Sequence, residues 1–494
     1  MRSAKPEPSN LLFFLSDNHA RSALGCYGNP VVRTPVLDGL AARGTRFANA
    51  YTASPLCCPA RASIATGRFP FQTGYWDNAI VYDGKVPSWM HRLRAAGTDV
   101  VSVGKLHFRS TDDDNGFSEE IAPMHILNGK GGVSMLLRWS DEEPVNRGQW
   151  ELYLEQSGTG TTHYQEYDFE ISRLAIEWLQ KHARNRARPW ALLVSYVSPH
   201  PPFTVPQELL DLYPIDQMPL PPLFRADERP QHPSLAHLRR IMGWKTMDDA
   251  HALRRIAACY YAVITHVDRQ IGAVLRAASE LGLLDDTRIV YTSDHGEALG
   301  AHGLFGKANL LEPGAGVPLL LCGPDVPARR VETVPVSHVD LYPTIVEGAG
   351  LAPLAPLAAD ADLPGHSLFH AAERTAPVFA EYHATGTRHG VSMLRAGRYK
   401  LIHHIDSPPQ LYDLESDPIE ARDLASDPAH AARVRELERQ LHSICDPAAV
   451  DARARADQRA KSQHWGGNDA IRKEGLLVYT PPPGVAAQVK AASA

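Results

Sequence analysis

Four short apolar runs in this chain each end in residues that can bind a cation or move a proton. NLLFFLS (10–16) is followed by Asp17 and Asn18, TDVVSV (98–103) by Gly104, Lys105, Leu106 and His107. PWALLVSYV (189–197) is followed by Ser198, Pro199 and His200, and TRIVYTS (287–293) by Asp294, His295, Gly296 and Glu297. One such residue is unremarkable, because Asp and Ser commonly cap a following helix. Four strand ends of this kind point to a shared site, since ligands bind at the carboxyl edge of a parallel sheet. Asp17, Asn18, Asp294 and His295 offer oxygen and imidazole ligands for a divalent cation. Lys105, His107, His200 and Arg61 offer positive charge and protons, which suit an oxyanion. A metal beside a basic cluster suggests sulfuryl or phosphoryl transfer.

A fifth feature is SPLCCPARASIATGR (54–68), where two of the six cysteines are adjacent. Neighbouring cysteines make a strained disulfide at best. The following ARASIATGR reads as a helix opening, and a thiol there, beside Arg61, would have its thiolate stabilised. On local evidence alone, a pair of buried thiols serving as packing residues is the safer reading.

The elements that must position these groups follow from patterning. The four runs, with VPLLLCG (317–323), read as buried strands. Between 249 and 284 apolar residues recur at Ile256, Tyr260, Ile264, Val267, Ile271 and Val274, one face of a helix. Strands alternating with helices predict an α/β fold with a mostly parallel central sheet flanked by helices. After about residue 370 the texture changes. GVSMLRAGRYKLIHH (390–404) predicts a hairpin turning at Ala396-Gly397, followed by QLYDLESDPIEARDLA and a charged helix over 427–443. The expected organisation is a catalytic domain over 1–370, a smaller C-terminal α+β domain over 371–445, and an arm over 446–494. The arm has little core of its own, yet GLLVYTPPPG is too apolar for a solvated tail. It is expected to pack on a neighbouring subunit, making a homo-oligomer.

The 494 residues carry a formal net charge of −6, so there is no basic footprint for nucleic acid. No run approaches a membrane span, and the first apolar run is too short for a signal peptide. The scattered cysteines fit a reducing compartment, and a cytoplasmic protein is expected.

CCPARASIATGR resembles the C-x-P-x-R-x-x-x-x-T-G motif of the formylglycine-dependent sulfatases of the alkaline phosphatase superfamily, with Cys57, Pro59, Arg61, Thr66 and Gly67 at its positions. TPVLDGLAARGTRFANAY, GKLHF, PHPPF, SDHGEALGAHGLFGK, VDLYPTI and QLYDLESDP resemble that family in the same order, over about residues 10–425. The resemblance implies an alkaline-phosphatase-like bilobal fold and oxidation of Cys57 to formylglycine by a formylglycine-generating enzyme, leaving Cys58 as a small packing residue. A hydrated aldehyde offers one hydroxyl to attack sulfur and a second to expel sulfate, which a serine could not do. The resemblance also implies one divalent ion on Asp17, Asn18, Asp294 and His295. Calcium is the family default, and the nitrogen ligand admits manganese or zinc. By the same resemblance Asp294 also takes up the nucleophile's proton, Arg61 holds the position-57 hydroxyl, Lys105 and Lys307 neutralise the nonbridging oxygens, His107 is the base for breaking the covalent intermediate, His200 serves the leaving oxygen, and Asn78 contacts substrate.

The expected activity is hydrolysis of a sulfate monoester to an alcohol and inorganic sulfate. The alternative is a phosphonate monoester or phosphodiester hydrolase on the same scaffold, against which Lys105 and His107 stand where such enzymes place Tyr and Thr. A catalytically silent binding protein would need a lost nucleophile or ligand, and every required residue type is present. GKLHF and EYHATG (381–386) are similar to choline sulfatases, but residues 120–140 offer mainly Trp139 for a cage around a quaternary ammonium.

Overall fold

The computed structural model describes residues 9–138, 152–183, 188–244, 249–351, 360 and 362–490. Eight strands form the central sheet: β1 (Asn10–Ser16), β2 (Gly44–Phe47), β3 (Asp99–Lys105), β4 (Glu119–Met124), β5 (Trp190–Ser195), β6 (Thr287–Ser293), β7 (Leu319–Cys322) and β8 (Arg330–Glu332). Their order is β8-β2-β7-β6-β1-β5-β3-β4. All neighbours run parallel except β7, which is antiparallel to both β2 and β6. The apolar runs at 10–16, 98–103, 189–197 and 287–293 thus supply four adjacent parallel strands, β6-β1-β5-β3, and the run at 317–323 supplies the antiparallel β7.

β1 shows why such runs are continuous rather than alternating. Phe13 and Leu15 pack on one face with Ile64, Leu341 and Ile345, while Leu12 and Phe14 pack on the other with Leu37, Ile171, Val267 and Ile271. Both faces are buried, so every side chain must be apolar. Truncating the fully buried Phe13 to Ala would cost about 3–5 kcal/mol.

The covering helices are α1 (Pro35–Arg43), α2 (Cys57–Thr66), α3 (His163–His182), α4 (Ala250–Glu280) and α5 (Leu341–Gly348). α4 matches the helix expected over 249–284. Asp249 caps it by accepting from the His251 and Ala252 N–H groups, and Gly282, at φ 70°, turns the chain away after it. α2 ends at Gly67, whose φ of 65° favours glycine.

The C-terminal sheet is a sequential antiparallel meander of β9 (Val378–Tyr382), β10 (Val391–Ala396), β11 (Tyr399–His404) and β12 (Gln410–Asp413). The hairpin forms as its sequence predicts, but its turn falls one residue later than Ala396-Gly397, at Gly397-Arg398, because Ala396 still pairs with Tyr399. α6 (Ala431–Ile444) covers the sheet, with Leu437 and Leu441 packed on Leu394, Leu401 and Leu411. Val378, Ala380, Met393 and Tyr412 pack into the same core as Ile256 and Tyr260 of α4.

The tail forms α7 (Pro447–His464), α8 (Asn468–Glu474) and a strand pair, β13 (Leu476–Leu477) with β14 (Val489–Lys490). These residues fold onto their own chain. Gln458 Nε2 donates to Asp77 Oδ2 at 2.9 Å and to the His383 carbonyl at 2.8 Å. Trp76 Nε1 donates to Asp457 at 2.8 Å, and Arg138 pairs with Asp451. Ile471 is buried among Val133, Leu136 and Leu137. The segment lacks a core of its own because it borrows this one.

Candidate active site

Strand register assembles the centre. Ser16 pairs with Ser293, so Asp17 and Asp294 emerge side by side beyond the ends of β1 and β6. Gly104 pairs with Ser195, which places Lys105 on the same edge. Asp17, Asp294, His295 and Cys57 each present a ligand atom within 4.8 Å of the others, all buried.

His295 Nδ1 donates to the Gly296 carbonyl at 3.0 Å, which leaves the Nε2 lone pair for the cluster. That atom lies 3.6 Å from Asp294 Oδ1, 3.8 Å from Asp17 Oδ1 and 3.2 Å from Cys57 Sγ. Asn18 has φ 68°, a left-handed conformation that a short polar side chain tolerates. Its Nδ2 donates to Glu297 Oε2 at 2.6 Å, while its buried Oδ1 has no partner. Two carboxylates, an imidazole with a free nitrogen and an unpartnered amide oxygen form a donor set that fits a divalent cation.

Glu297 was not singled out by its sequence, though it lies in the SDHGEALG block. Besides Asn18 it accepts from Tyr153 Oη at 2.9 Å and from the Leu299 and Gly306 N–H groups at 2.8 and 2.6 Å. It is fully engaged in holding Asn18 and the 299–306 loop. No spacing rule marks such a residue, because Asn18 and Tyr153 reach it from distant segments of the chain.

Cys57 is the first residue of α2. Pro59 is tolerated two positions on, where its missing N–H has no intrahelical partner anyway. The neighbouring Cys58 N–H donates to Asn78 Oδ1 at 3.1 Å, so Asn78 both lines the pocket and caps this helix. Lys307 Nζ lies 3.0 Å from Cys57 Sγ, and Asp17 Oδ1 lies 3.7 Å from it. Burial, with Asp17 and Asp294 close by, pushes the thiol up to about 11 against the pull of Lys307 and Lys105. The lowered thiol suggested by helix and arginine alone is therefore reversed by the tertiary surroundings. Cys58 packs with Val81 and Ile126, and all six cysteines are free.

Arg61 braces the carboxylates rather than the nucleophile. Its Nε donates to Asp294 Oδ2 at 2.8 Å, one terminal nitrogen to the Lys105 carbonyl and Ser195 Oγ at 2.8 and 3.0 Å, and the other approaches Asp17 at 3.4 Å. Lys105 Nζ lies 2.6 Å from Asp17 Oδ2. The Asp17 carboxyl is held well below the usual range: burial opposes its charge, but Lys105, Lys307, His200 and Arg61 outweigh burial.

His107 has φ 55° and neither ring nitrogen is partnered. Burial, then Lys105 and Arg61, keep it neutral, with a pKa well below the ordinary histidine value. His200 donates from Nδ1 to the Pro201 carbonyl at 2.7 Å, leaving Nε2 to the pocket, and burial with Lys307 lowers its pKa too. Asp17, Cys57, Asp294 and His295 form one cluster, Asn78, Lys105, His107, His200 and Lys307 line the pocket before Cys57, and Arg61 and Asn18 are tied to Asp294 by hydrogen bonds. Trp139 lies outside the described residues. Among the described residues no helix is long and apolar enough to cross a membrane.

Comparison with known proteins agrees with this geometry. A sulfatase family model matches residues 9–351, and the model of the N-sulphoglucosamine sulphohydrolase C-terminal region matches 300–446. The choline-sulfatase of Rhizobium meliloti is 32% identical over 472 residues, covering 92% of this chain and 89% of that protein. Human arylsulfatase K is 28% identical over 487 residues, covering 92% and 86%. The crystal structure of the phosphonate monoester hydrolase of Agrobacterium radiobacter superposes with a TM-score of 0.70 at 22% identity, covering 91% of this chain and 96% of that one. With a family model matched along more than half its length, and the motif cysteine at the head of its helix beside a donor set that fits a divalent cation, this chain belongs to the sulfatase family.

Proposed function

We propose that the protein hydrolyses a sulfate monoester to an alcohol and inorganic sulfate, with formylglycine at position 57 and one divalent cation. The observation that carries this reading is the position of Cys57: at the head of α2, 3.0 Å from Lys307 and 3.2 Å from His295, against the carboxylate pair. A formylglycine side chain there supplies, as its hydrate, one hydroxyl for attack on sulfur and another for release of sulfate. Asp17, Asn18, Asp294 and His295 would hold the cation, which would supply positive charge to the sulfuryl oxygens and lower the pKa of the attacking hydroxyl.

The chain's own groups do the rest. Arg61 fixes the orientation of Asp294 and Asp17, so that Asp294 is placed to receive the nucleophile's proton. Lys105 and Lys307 stand ready for the nonbridging oxygens, in a buried setting where fixed charge acts strongly. His200 Nε2 is the free imidazole nitrogen for the leaving oxygen. A bound sulfate ester would offset the two lysines that depress the His200 pKa, favouring a proton on Nε2 when the leaving group needs it. His107, neutral with both nitrogens unengaged, is suited to take a proton during product release. Asn78 fixes the start of α2 and reaches the pocket.

The test is a panel of aryl sulfates, alkyl sulfates, choline sulfate, phosphonates and phosphodiesters, assayed on protein matured with a formylglycine-generating enzyme. Mass spectrometry verifies the aldehyde at position 57. Sulfate release is expected to exceed hydrolysis of every phosphorus ester. A preference for phosphonates, or full activity with a free thiol at 57, would overturn the reading.

A further inference from the structure

The lining of the pocket in front of Cys57 includes Ile126, Ser134 and Met135 and, from the tail, the continuous run Leu476, Leu477, Val478, Tyr479 and Thr480. This run lies beyond residue 446, where the family models cease to match. It is therefore a feature of this chain's tail, not of the part it shares with the family models.

The run is held firmly. Tyr164 Oη donates to the Thr480 carbonyl at 2.8 Å, and the Tyr479 ring meets Tyr164 edge-on at 5.3 Å. Tyr164 in turn lies 5.9 Å from the ring of His200, the group facing the leaving oxygen. The Val478 N–H donates to the Gln488 carbonyl at 3.3 Å, and Leu476–Leu477 pair with Val489–Lys490. Just before it α8 is pinned as well: Ile471 is buried against Val133 and Leu136, and Lys130 pairs with Glu474. The lysines and histidines of the lining, Lys105, Lys307, His107 and His200, all sit at the sulfate end. Elsewhere the described lining is uncharged, with Leu152 and Met242 completing the apolar surface.

We infer that Leu476–Thr480 form the leaving-group wall of the active site, with Tyr479 as a specificity-determining residue, and that this wall selects compact, uncharged aryl or alkyl alcohols. The inference rests on the sulfate monoester reading and adds the substrate class to it. Apolar carbon on the alcohol would be covered by Leu477 and Tyr479. A second anionic group there would be desolvated against hydrocarbon with no charged partner among the described lining residues, which costs affinity.

The experiment uses the full, matured chain with two substrates: 4-nitrophenyl sulfate, and a sulfated disaccharide carrying a carboxylate. Wild type is expected to favour the nitrophenyl ester in kcat/KM. Tyr479→Ala is expected to raise KM for that ester about tenfold, the scale of a lost hydrophobic pocket contact, with a smaller change in kcat, and to narrow the preference. Tyr479→Phe, which keeps the ring, is expected to restore most of it. Phe169→Ala, at an exposed position on α3, serves as the control and should match wild type. Thermal melts establish that each variant folds, and Leu477→Ala carries the same test should Tyr479→Ala fail to. Wild-type KM and wild-type preference in both variants, or a wild-type preference for the charged disaccharide, would overturn the inference while leaving the sulfatase reading intact. A matured wild type that releases sulfate from no ester would overturn both.

Discussion

Lys307 Nζ stands 3.0 Å from Cys57 Sγ, although the two residues are 250 positions apart. One comes from a loop after β6 and the other from the first turn of α2. Burial opposes the lysine's charge, but Cys57, Asp17 and Asp294 more than compensate and hold its pKa above the ordinary lysine value. The site thus carries a permanent cation where a sulfuryl oxygen would lie.

Lys307→Met keeps the length of the side chain and removes its charge. The expected result is a fall in kcat of about 10²–10³, the cost of losing one preorganised oxyanion partner. Steady-state kinetics on an aryl sulfate measure it, with a melt to show that the fold survives. A loss under threefold would remove Lys307 from the reaction.

Glu297→Gln places an amide against Asn18 Nδ2, Tyr153 Oη and two backbone N–H groups, all of which donate to Glu297. One donor must then face another, and Asn18 loses its fixed orientation. Affinity for the divalent ion is expected to drop about 10–100-fold, as for lost partners of metal ligands elsewhere. Titration of the stripped variant with calcium and with manganese checks this. Wild-type affinity for both would show that Asn18 needs no such support.

Asn78→Ala removes the oxygen that accepts from the Cys58 N–H. A stability loss of about 0.5–2 kcal/mol is expected, the usual range for a lost helix cap. Denaturant unfolding reads it. Unchanged stability with a raised KM would instead assign Asn78 to substrate contact alone.

Asp451 anchors α7. It pairs with Arg138, accepts from Arg455 at 2.9 Å and from the Gly390 N–H at 2.9 Å, and lies 3.8 Å from His383. Burial would raise its pKa, but His383, Arg138 and Arg455 hold it well below 3.8. A carboxyl with a depressed folded pKa stabilises the fold above its unfolded value and loses that contribution as pH falls through the folded one. His383, raised above 6.5 by Asp451 and Glu381 despite its burial, contributes fully below 6.5 and loses its share as pH climbs through the folded value. Asp451→Asn is therefore expected to lower stability by about 3–5 kcal/mol, as for a broken buried pair. The gap from wild type should be widest between pH 3.8 and 6.5 and close below that window. Melting temperatures across pH 3–8 decide it, and a pH-independent gap would refute the linkage.

Much of the centre was legible before folding. A buried strand must be apolar throughout, so the first polar residues after it stand out, and Asp17, Lys105, His200 and Asp294 could be picked from four separate runs. The motif around Cys57 is local, because α2 and its αL glycine are local. Arg61 illustrates the limit: its type and place were readable, but only the register of β1 against β6 turns its guanidinium onto Asp17 and Asp294 rather than onto position 57. Glu297 could be read only as one more polar residue after β6, with no role, because Asn18 and Tyr153, which donate to it, meet it only in three dimensions.

By itself the sequence determined an α/β sheet with a cation-and-oxyanion edge, a motif cysteine at a helix start, and a tail with more apolar residues than a solvated segment carries. Tertiary structure alone decided which surface that tail covers. Composition reports that Leu477 and Tyr479 must be buried; it does not report against what, because hydrophobic burial is non-directional and rewards any apolar surface within reach. The choice fell to specific polar contacts, Gln458 with Asp77, Asp451 with Arg138 and Tyr164 with Thr480, which bring the segment back over its own active site.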